Sequence, residues 1–361
     1  MDLKRNLLIT TIVLSLFGIL MIYSASEYSA LILYNDKFVF VRKQVIAFVA
    51  GIIVMFLATK IKLEVLKKFR WILYFIAIAL LSILLVPGVG RSVYGATRRI
   101  DLGFLSFQPS EFAKFALVIL LASTISKTNV RNLINIIALA FPGIIMCILV
   151  MLEPNMSITV CIALTMSIML FIGGIRPRHA LLFAGIGLSA IPILIVTEPY
   201  RLKRLIAFIN PWNSAKGEGY QLIQSYYAIA SGGLLGRGLF KGMQKHLYLP
   251  FAESDFIFSI IAEELGLIGC ICVIIVFLVF IGSGILIAIK TKNIFNRLLA
   301  TGITSLTAVQ TLVNIAVVTG TIPPTGLPLP FVSAGGSSLI MFMFATGLLI
   351  NIESHNKNDY Y

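Results

Sequence analysis

The stretch Thr197–Gly266, TEPYRLKRLIAFINPWNSAKGEGYQLIQSYYAIASGGLLGRGLFKGMQKHLYLPFAESDFIFSIIAEELG, is a long polar segment set among apolar runs. It is rich in charge and glycine, whereas the sequence on either side consists mostly of hydrophobic runs of membrane-spanning length. Over all 361 residues, 58% are hydrophobic and 12% are charged, and the mean hydropathy is +0.97. Soluble domains contain about 45–50% apolar and about 25% charged residues. The composition therefore predicts an all-α integral membrane protein.

The formal net charge of +14 could suit either nucleic acid or a membrane surface. In membrane proteins, Lys and Arg concentrate in cytoplasmic loops and beside anionic lipid headgroups. We therefore expect membrane lipids as partners and no nucleic acid. The four cysteines lie in apolar runs without His or carboxylate neighbours at metal-ligand spacing, which indicates packed, reduced thiols. They are Cys147, Cys161, Cys270 and Cys272.

Ten apolar runs are long enough to cross about 30 Å of hydrocarbon as helices. The first run resembles a signal peptide, but the number of runs that follow favours an uncleaved anchor. The predicted spans are Leu7–Ser26, Phe38–Thr59, Trp71–Val86, Glu111–Ser126, Leu133–Leu152, Met156–Ile175, Ala180–Val196, Phe256–Ile289, Phe295–Gly320 and Ser333–Asn351. We expect a single polytopic domain over 1–361, with a large extracellular loop at 198–255 between the seventh and eighth spans. A short cytoplasmic tail is expected at 353–361.

Basic residues indicate how the chain is oriented, because Lys and Arg of short loops stay on the cytoplasmic side. They cluster after the second, fourth, sixth and eighth predicted spans, as in Lys60, Lys127, Arg176 and Lys290. Both termini are therefore predicted to be cytoplasmic, and the 198–255 loop to be external. That loop is basic even though it faces outward, so we expect it to bind an anion.

Two predicted spans end or begin with polar residues that lipid would penalise. Ser110 is a predicted N-cap of the fourth span. Glu111 and Lys114 are spaced to form an ion pair on one helix face. That pair either fixes helix orientation or has a functional role, since ionisable residues inside membranes are functional candidates. The turn Glu153-Pro154-Asn155 is likewise either a polar hairpin tip or a ligand contact.

The external loop carries closely spaced cations. Arg201, Lys203 and Arg204 fall within one helical turn. They either snorkel to the headgroup layer or bind a phosphate-bearing lipid, because guanidinium groups match phosphate oxygens. The glycine-rich part, Gly232–Gly242, is expected to be flexible. It lacks the GK[ST] ending of a nucleotide-binding P-loop, so nucleotide hydrolysis is excluded.

Asp255 stands where the external loop re-enters the membrane. Ser254 or Asp255 could cap the eighth span; alternatively, a carboxylate shielded from bulk water could act as a proton acceptor. Glu263 and Glu264 follow, which places more carboxylates at this helix than capping requires. The residues alone indicate that an anionic amphiphile is bound at the outer face.

Short segments along the whole chain resemble the SEDS family (shape, elongation, division and sporulation), the polytopic peptidoglycan glycosyltransferases of the RodA, FtsW and SpoVE type. The segments Pro199-Tyr200-Arg201-Leu202-Lys203-Arg204-Leu205 and Asn210-Pro211-Trp212 are more similar to the division and sporulation branch. The other matching segments include Arg98-Arg99-Ile100-Asp101-Leu102-Gly103, Gln108-Pro109-Ser110-Glu111 with Lys114, Gln244-Lys245, Asp255-Phe256-Ile257-Phe258, Ala262-Glu263-Glu264-Leu265-Gly266 and Pro330-Phe331-Val332-Ser333.

The resemblance implies that the protein polymerises lipid II, a disaccharide-pentapeptide on undecaprenyl diphosphate, at the outer face of the bacterial cytoplasmic membrane. It implies that Asp255 is the catalytic base and that the reaction inverts the donor anomeric carbon. It also implies a class B penicillin-binding protein, a transpeptidase, as partner. The implied substrate-binding residues are Arg201, Arg204, Lys245, Lys114, Glu111, Gln108 and Ser333.

Several positions depart from the family pattern. Where family members commonly have glutamate and histidine before the TDFIF segment, this chain has Phe251 and Glu253, and Ala334 replaces a tyrosine. No cofactor and no dedicated metal-ligand cluster is identified, although Mg²⁺ or Mn²⁺ could accompany the diphosphate. Two alternative functions remain, a lipid II flippase and a non-catalytic divisome scaffold.

Overall fold

The computed structural model describes residues 2–86, 91–93, 96–101 and 106–358, and most of them are helical. The strands are β1 Arg91–Val93, β2 Ala96–Asp101 and β3 Ser106–Phe107. The helices are α1 Leu3–Tyr34, α2 Val39–Ala58, α3 Leu63–Leu84, α4 Pro109–Ile125, α5 Leu133–Leu152, α6 Met156–Ile172, α7 Pro177–Val196, α8 Pro199–Ile209, α9 Tyr220–Gly232, α10 Ile257–Lys290, α11 Ile294–Val318 and α12 Gly336–Asn358, with a 3-10 turn at Pro211–Ser214.

Each predicted span overlaps one of the helices α1 to α7 or α10 to α12. Within the described residues, six helices are long and apolar enough to cross a membrane, namely α1, α2, α5, α10, α11 and α12, and α6 is a shorter apolar helix. The prediction of a helical, multi-pass membrane protein is confirmed. The full count of ten spans stays a prediction.

Some helix ends differ from their predicted positions. Ser110 is not the N-cap of α4, because Gln108 occupies that position and Pro109 begins the helix. Proline suits a first helical position, since its ring fixes φ near the helical value. Neither Ser254 nor Asp255 caps α10, whose N-cap is Phe256. Helix α12 runs past its predicted end to Asn358, while residues 359–361 of the predicted tail lie outside the described residues.

The predicted loop before α4 contains a small antiparallel sheet. Strand β2 pairs with β1 on one side and with β3 on the other, and Ile100 lies opposite Phe107. This sheet contacts α3, α4 and α12. It therefore holds Arg98 and Arg99, which are residues of β2, against the bundle.

Helix α4 is a central element of the bundle, and almost all of its side chains are buried. It packs against α3, α11 and α6, while α12 packs against α2 and α10 against α1 and α11. Because successive helices run in opposite directions, one end of the bundle gathers the α5–α6 turn, the 198–256 segment and the α11–α12 connection. Asp255 lies at this end.

The 198–255 segment is ordered rather than an open loop. Its glycine-rich part docks onto a break in α10. At that break Gly266 has a φ of 66°, which glycine adopts without strain. The amides of Leu267 and Ile268, freed from the helix, donate to the carbonyls of Gly233 and Leu234 at 3.0 and 3.2 Å. Such mutual pairing is required of irregular backbone inside a membrane protein.

Candidate functional site

The backbone at Asp255 is held by the connection between α11 and α12. The Asn314 amide on α11 donates to the carbonyl of Asp255 at 2.9 Å and to that of Leu327 at 2.7 Å. The Ser333 hydroxyl donates to the Ser254 carbonyl at 2.6 Å, and the Ala334 amide donates to the Glu253 carbonyl at 2.9 Å. The position of Asp255 is therefore fixed from outside its own loop.

Gly326 lies directly beside the Asp255 carboxylate. A Cβ atom built on Gly326 would stand 3.3 Å from Asp255 Oδ2, tighter than an ordinary contact. The Gly326 amide donates to Ser157 Oγ on α6 at 3.1 Å. The glycine thus leaves space at the carboxylate while its backbone ties the site to α6.

The Asp255 carboxylate is electrostatically perturbed. The side chain is partly exposed but crowded by protein, and the loss of solvation raises its pKa to about 6, against the opposing effect of Arg99, Arg98 and Arg204. No hydrogen bond or ion pair reaches this carboxylate from a residue that the structure describes. An acid with this pKa is ionised at neutral pH and is more basic than an ordinary aspartate.

Arg98 links Asp255 to the α5–α6 turn. Its guanidinium donates from Nε to the Glu153 carbonyl at 3.3 Å and also donates to the Pro154 carbonyl. Burial and the proximity of Arg204 lower the pKa of Arg98. Two cations held together at partial burial form a site of positive potential, which favours an anion.

Glu153 lies beneath Arg98 and is 2% exposed. Neither of its carboxyl oxygens has a hydrogen-bond partner within the described residues. Burial raises its pKa to about 8, even though Arg98 acts in the opposite direction. Burial thus favours the neutral form of Glu153, while the charges of Arg98, Arg99 and Arg204 act on Asp255.

The two predicted cations of α8 flank the ring of Tyr200. Arg201 is buried, donates from Nε to Tyr200 Oη at 3.1 Å and stacks over the ring at 5.4 Å. Arg204 is half-exposed, lies 6.0 Å from the ring centre and pairs with Glu218 at 3.5 Å. Of these two, Arg204 is the one whose charge acts on Asp255.

Glu111 and Lys114 form the predicted ion pair deep in the bundle. Lys114 Nζ lies 2.9 Å from Glu111 Oε1 and 2.6 Å from Gln310 Oε1, and both charged side chains are buried. The Gln310 amide then donates to the Pro328 carbonyl at 2.9 Å. The pair therefore connects to the α11–α12 segment that holds Asp255. Gln108, at the start of α4, donates from its backbone to Ser337 Oγ at 3.3 Å.

Lys245 belongs to a second acidic cluster on α10. Its ammonium lies 2.7 Å from Glu264 Oε1, and both side chains are buried. Glu264 also accepts from Ser24 Oγ and from the amides of Phe240 and Gly242. Lys245 is not among the cations that act on Asp255. Of the four predicted cations, Arg204 alone acts on Asp255, and Lys245 is instead committed to Glu264.

Sequence reasoning did not place Arg98, Arg99, Asn314 or Gly326 at the site. Arg98 and Arg99 were visible as a pair of cations before the fourth predicted span, but their distance from Asp255 along the chain hid their proximity to it. Asn314 and Gly326 come close to Asp255 through tertiary packing. The described residues include no group of three or more His, Cys, Asp and Glu side chains that could hold a metal ion.

Residues 4–358 match the profile of a protein family described as "Cell cycle protein", which comprises FtsW, RodA and SpoVE. The chain belongs to the FtsW/RodA/SpoVE family. It is 37% identical to stage V sporulation protein E of Bacillus subtilis, with 97% of each chain covered. It is 40% identical to a probable peptidoglycan glycosyltransferase FtsW of Trichlorobacter lovleyi, covering 97% of this chain and 93% of the relative.

Solved structures show the same fold for the FtsW/RodA/SpoVE family. A chain of a peptidoglycan synthase complex that coordinates polymerization and crosslinking has a TM-score of 0.81 at 27% identity and covers 98% of both chains. The rod shape determining protein RodA of Thermus thermophilus has a TM-score of 0.72 at 25% identity, covering 98% of this chain and 97% of RodA.

Two residues that depart from the FtsW/RodA/SpoVE family pattern, Phe251 and Glu253, lie close to Asp255 in the chain. Phe251 adopts a φ of 56° and its carbonyl accepts from the Ser254 amide at 3.1 Å, so its backbone shapes the turn before Asp255. Glu253 is half-buried, and both the loss of solvation and the Asp255 charge raise its pKa, while Arg99 lowers it. The position thus adds a second carboxyl group to the arginine-rich site.

Proposed function

We propose that this protein is a peptidoglycan glycosyltransferase that polymerises lipid II into glycan strands at the outer face of the bacterial cytoplasmic membrane. The observation that carries the proposal is the Asp255 carboxylate, which has a raised pKa and faces three arginines. Relatives over nearly the whole chain are named probable peptidoglycan glycosyltransferases. The fold and the family agree with that activity.

In the proposed mechanism Asp255 is the general base. It takes the proton of the acceptor GlcNAc 4-hydroxyl as that oxygen bonds to the donor anomeric carbon. The bond from this carbon to the diphosphate oxygen breaks on the opposite face, so the configuration inverts. Base assistance is typically worth about 10²–10⁴-fold in rate. A pKa of about 6 keeps Asp255 ionised at neutral pH while making it a better proton acceptor than an ordinary aspartate.

The leaving diphosphate needs positive charge where its own negative charge increases. Arg98, Arg99 and Arg204 supply it, because their charges already act on Asp255. Arg201 extends this group at Tyr200. We assign Glu111, Lys114, Gln108 and Ser333 to positioning of the α11–α12 segment. Substrate binding by Lys245 remains a prediction that its pairing with Glu264 does not support.

A divalent cation would fit this mechanism as a counter-ion of the lipid diphosphate. Because the described residues offer no cluster of three metal-ligating side chains, Mg²⁺ or Mn²⁺ would be held mainly by the diphosphate oxygens. The ion would then neutralise part of the leaving-group charge together with the arginines. This requirement is tested by the same polymerisation assay with and without a chelator.

The solved structure of a peptidoglycan synthase complex also supports a proposed partner. Polymerised glycan must be cross-linked, so a class B penicillin-binding protein with transpeptidase activity is the expected companion. Its docking surface would lie on exposed apolar helices of this protein. Activity measured with and without such a partner tests this point.

The experiment that tests the proposed function is polymerisation of labelled lipid II by the purified protein with its transpeptidase partner. We expect long glycan strands from the wild type and none from Asp255→Ala or Asp255→Asn, with folding intact. Transport of lipid II across vesicles without polymerisation would instead support a flippase. Normal polymerisation by either variant would contradict the catalytic role of Asp255, and neither polymerisation nor transport by the wild type would support a scaffold.

A further inference from the structure

A basic cavity of about 490 Å³ lies between the α4–α5 and α6–α7 connections. Helices α4 and α6 run away from the Asp255 end, so this cavity is at the opposite end of the bundle. Basic loop residues predict that end to be cytoplasmic. Among the described residues no carboxylate lines the cavity, and its polar lining consists of Asn129, Arg131, Asn132, Arg176, Arg178 and His179.

His179 is a built-in polar group of the cavity wall. Its side chain is 9% exposed, and its Nδ1 atom has no hydrogen-bond partner within the described residues. A buried polar atom without a partner costs free energy, and such exceptions require a specific cause. Nδ1 itself is closed off from the cavity, so a ligand there would bond to the accessible Nε2 of the same ring.

Two helices begin at the same cavity. Leu133, the first residue of α5, and Arg178, the second residue of α7, both line it. Helix N-termini carry a positive partial charge and favour anions. The two helix N-termini and the three guanidinium groups of Arg131, Arg176 and Arg178 all contribute positive potential to the cavity. The ligand is therefore an anion, and guanidinium groups favour phosphate.

The flanks of the cavity indicate where the anion comes from. Ile134 on α5 is 73% exposed and directly follows the lining residue Leu133, while Leu181 on α7 is 74% exposed and lies two residues after the lining His179. In a membrane these apolar side chains face acyl chains. A phosphate in the cavity would thus be continuous with lipid at its edge, which favours a headgroup over a soluble ion.

We propose that this cavity binds the phosphate of an anionic phospholipid from the leaflet at that face. Basic pockets at the cytoplasmic ends of transmembrane helices are suited to such headgroups. The arginines clasp the phosphate oxygens, His179 supplies a further hydrogen bond, and the acyl chains lie along α5 and α7. The site is separate from Asp255 and does not depend on the proposed glycosyltransferase activity.

Native mass spectrometry of the delipidated full-length protein, titrated with phosphatidylglycerol or phosphatidylcholine, tests the proposal. The variant Arg131→Gln/Arg176→Gln/Arg178→Gln should bind phosphatidylglycerol on the order of 10- to 100-fold more weakly than the wild type. The matched control, Lys60→Gln/Lys62→Gln/Lys68→Gln, removes three exposed cations from the same face and should change binding less than about threefold. Phosphatidylcholine should bind weakly to all three proteins.

A second variant protects the test against misfolding of the triple arginine variant. His179→Leu keeps the three arginines and should weaken phosphatidylglycerol binding about threefold, the value of one lost hydrogen bond. Equal loss in the lysine control, or no loss in either cavity variant, would overturn the proposal. Full displacement of the lipid by millimolar inorganic phosphate would show a soluble-ion site and would also overturn it.

Discussion

The protein contains two acidic regions near the start of α10, and they differ in how their carboxylates are paired. Glu263 accepts from the amides of Met243 and Gln244, and Glu264 accepts from several donors including Lys245. By contrast, the Asp255 carboxylate has no hydrogen-bond partner in the part of the chain that the structure describes. A carboxylate with satisfied hydrogen bonds stabilises the fold, while one with few partners retains basicity for chemistry.

The same contrast separates the cations. Lys245 is buried and committed to Glu264, whereas Arg204 is half-exposed and Arg99 is exposed beside Asp255. A buried ion pair resists substrate exchange because breaking it leaves a buried charge. Exposed arginines can instead turn toward a diphosphate at small cost. The two regions therefore predict opposite outcomes for similar substitutions.

The largest expected effect follows from Asp255→Asn. Lipid II polymerisation should fall by about 10²–10⁴-fold, because the amide cannot accept the proton. Thermal unfolding should change little, since no hydrogen bond to the carboxylate is lost. The matched control is Asp36→Asn, which removes a carboxylate of the α1–α2 connection paired with Arg42 and should leave polymerisation unchanged. A destabilised Asp255→Asn protein would show that both acidic regions are structural.

The opposite result is expected for Glu264→Gln. This change leaves the buried Lys245 ammonium without its counter-charge, which typically costs about 3–5 kcal/mol of unfolding free energy. Thermal unfolding in detergent measures the loss. Glu264→Gln/Lys245→Met removes both charges and should recover part of the stability. If Glu264→Gln abolished polymerisation without loss of stability, the result would support a role for Lys245 in substrate binding.

Arg98→Gln should weaken substrate binding about tenfold, the value of a charge-assisted hydrogen bond to a phosphate. Removing a cation that lowers the pKa of Asp255 should also raise that pKa and shift the acid limb of the rate to higher pH. Both effects appear in initial rates measured against lipid II concentration and pH. The control is Arg42→Gln, which changes an arginine near the start of α2 that pairs with Asp36. If Arg98→Gln changed neither the KM for lipid II nor the acid limb of the pH–rate profile, Arg98 would have no role at the site.

Gly326→Ala should have the smallest effect. We expect the polymerisation rate to fall by about two- to fivefold, because the substitution displaces a single contact at the Asp255 carboxylate. The added methyl group would lie 3.3 Å from Asp255 Oδ2, so the carboxylate must shift by a few tenths of an ångström. Stability should stay within about 0.5 kcal/mol of the wild type, since the site is open to substrate. Full activity would indicate that the space beside Gly326 is not used by the acceptor sugar.

Sequence reasoning was most reliable for features set by local composition. Each predicted span overlaps a helix because hydrophobic length is written directly in the chain. The spacing of Glu111 and Lys114 likewise predicted their ion pair, since residues three apart share a helix face. The separation of Asp255 from Lys245 could not be predicted, because it depends on how the glycine-rich segment docks on the break at Gly266.

The arginines around Asp255 illustrate the same limit. Arg98 and Arg204 belong to segments more than a hundred residues apart in sequence, and the sheet before α4 brings one of them to the other. The cost of burying Asp255 is also a tertiary property, as is the pairing of Asn314 with its backbone. Composition could indicate an anion site on the external loop, but the identity of its innermost cations required the fold.

The pH dependence of polymerisation tests the central claim most directly, because it reports the protonation state of the base itself. Initial rates on lipid II between about pH 5 and pH 8 should fall as one group is protonated near pH 6, because the raised pKa of Asp255 makes the base inactive below that value. The residual activity of Asp255→Asn should lack this limb. A rate that is independent of pH through about 6, or the same limb in Asp255→Asn, would contradict a catalytic role for Asp255.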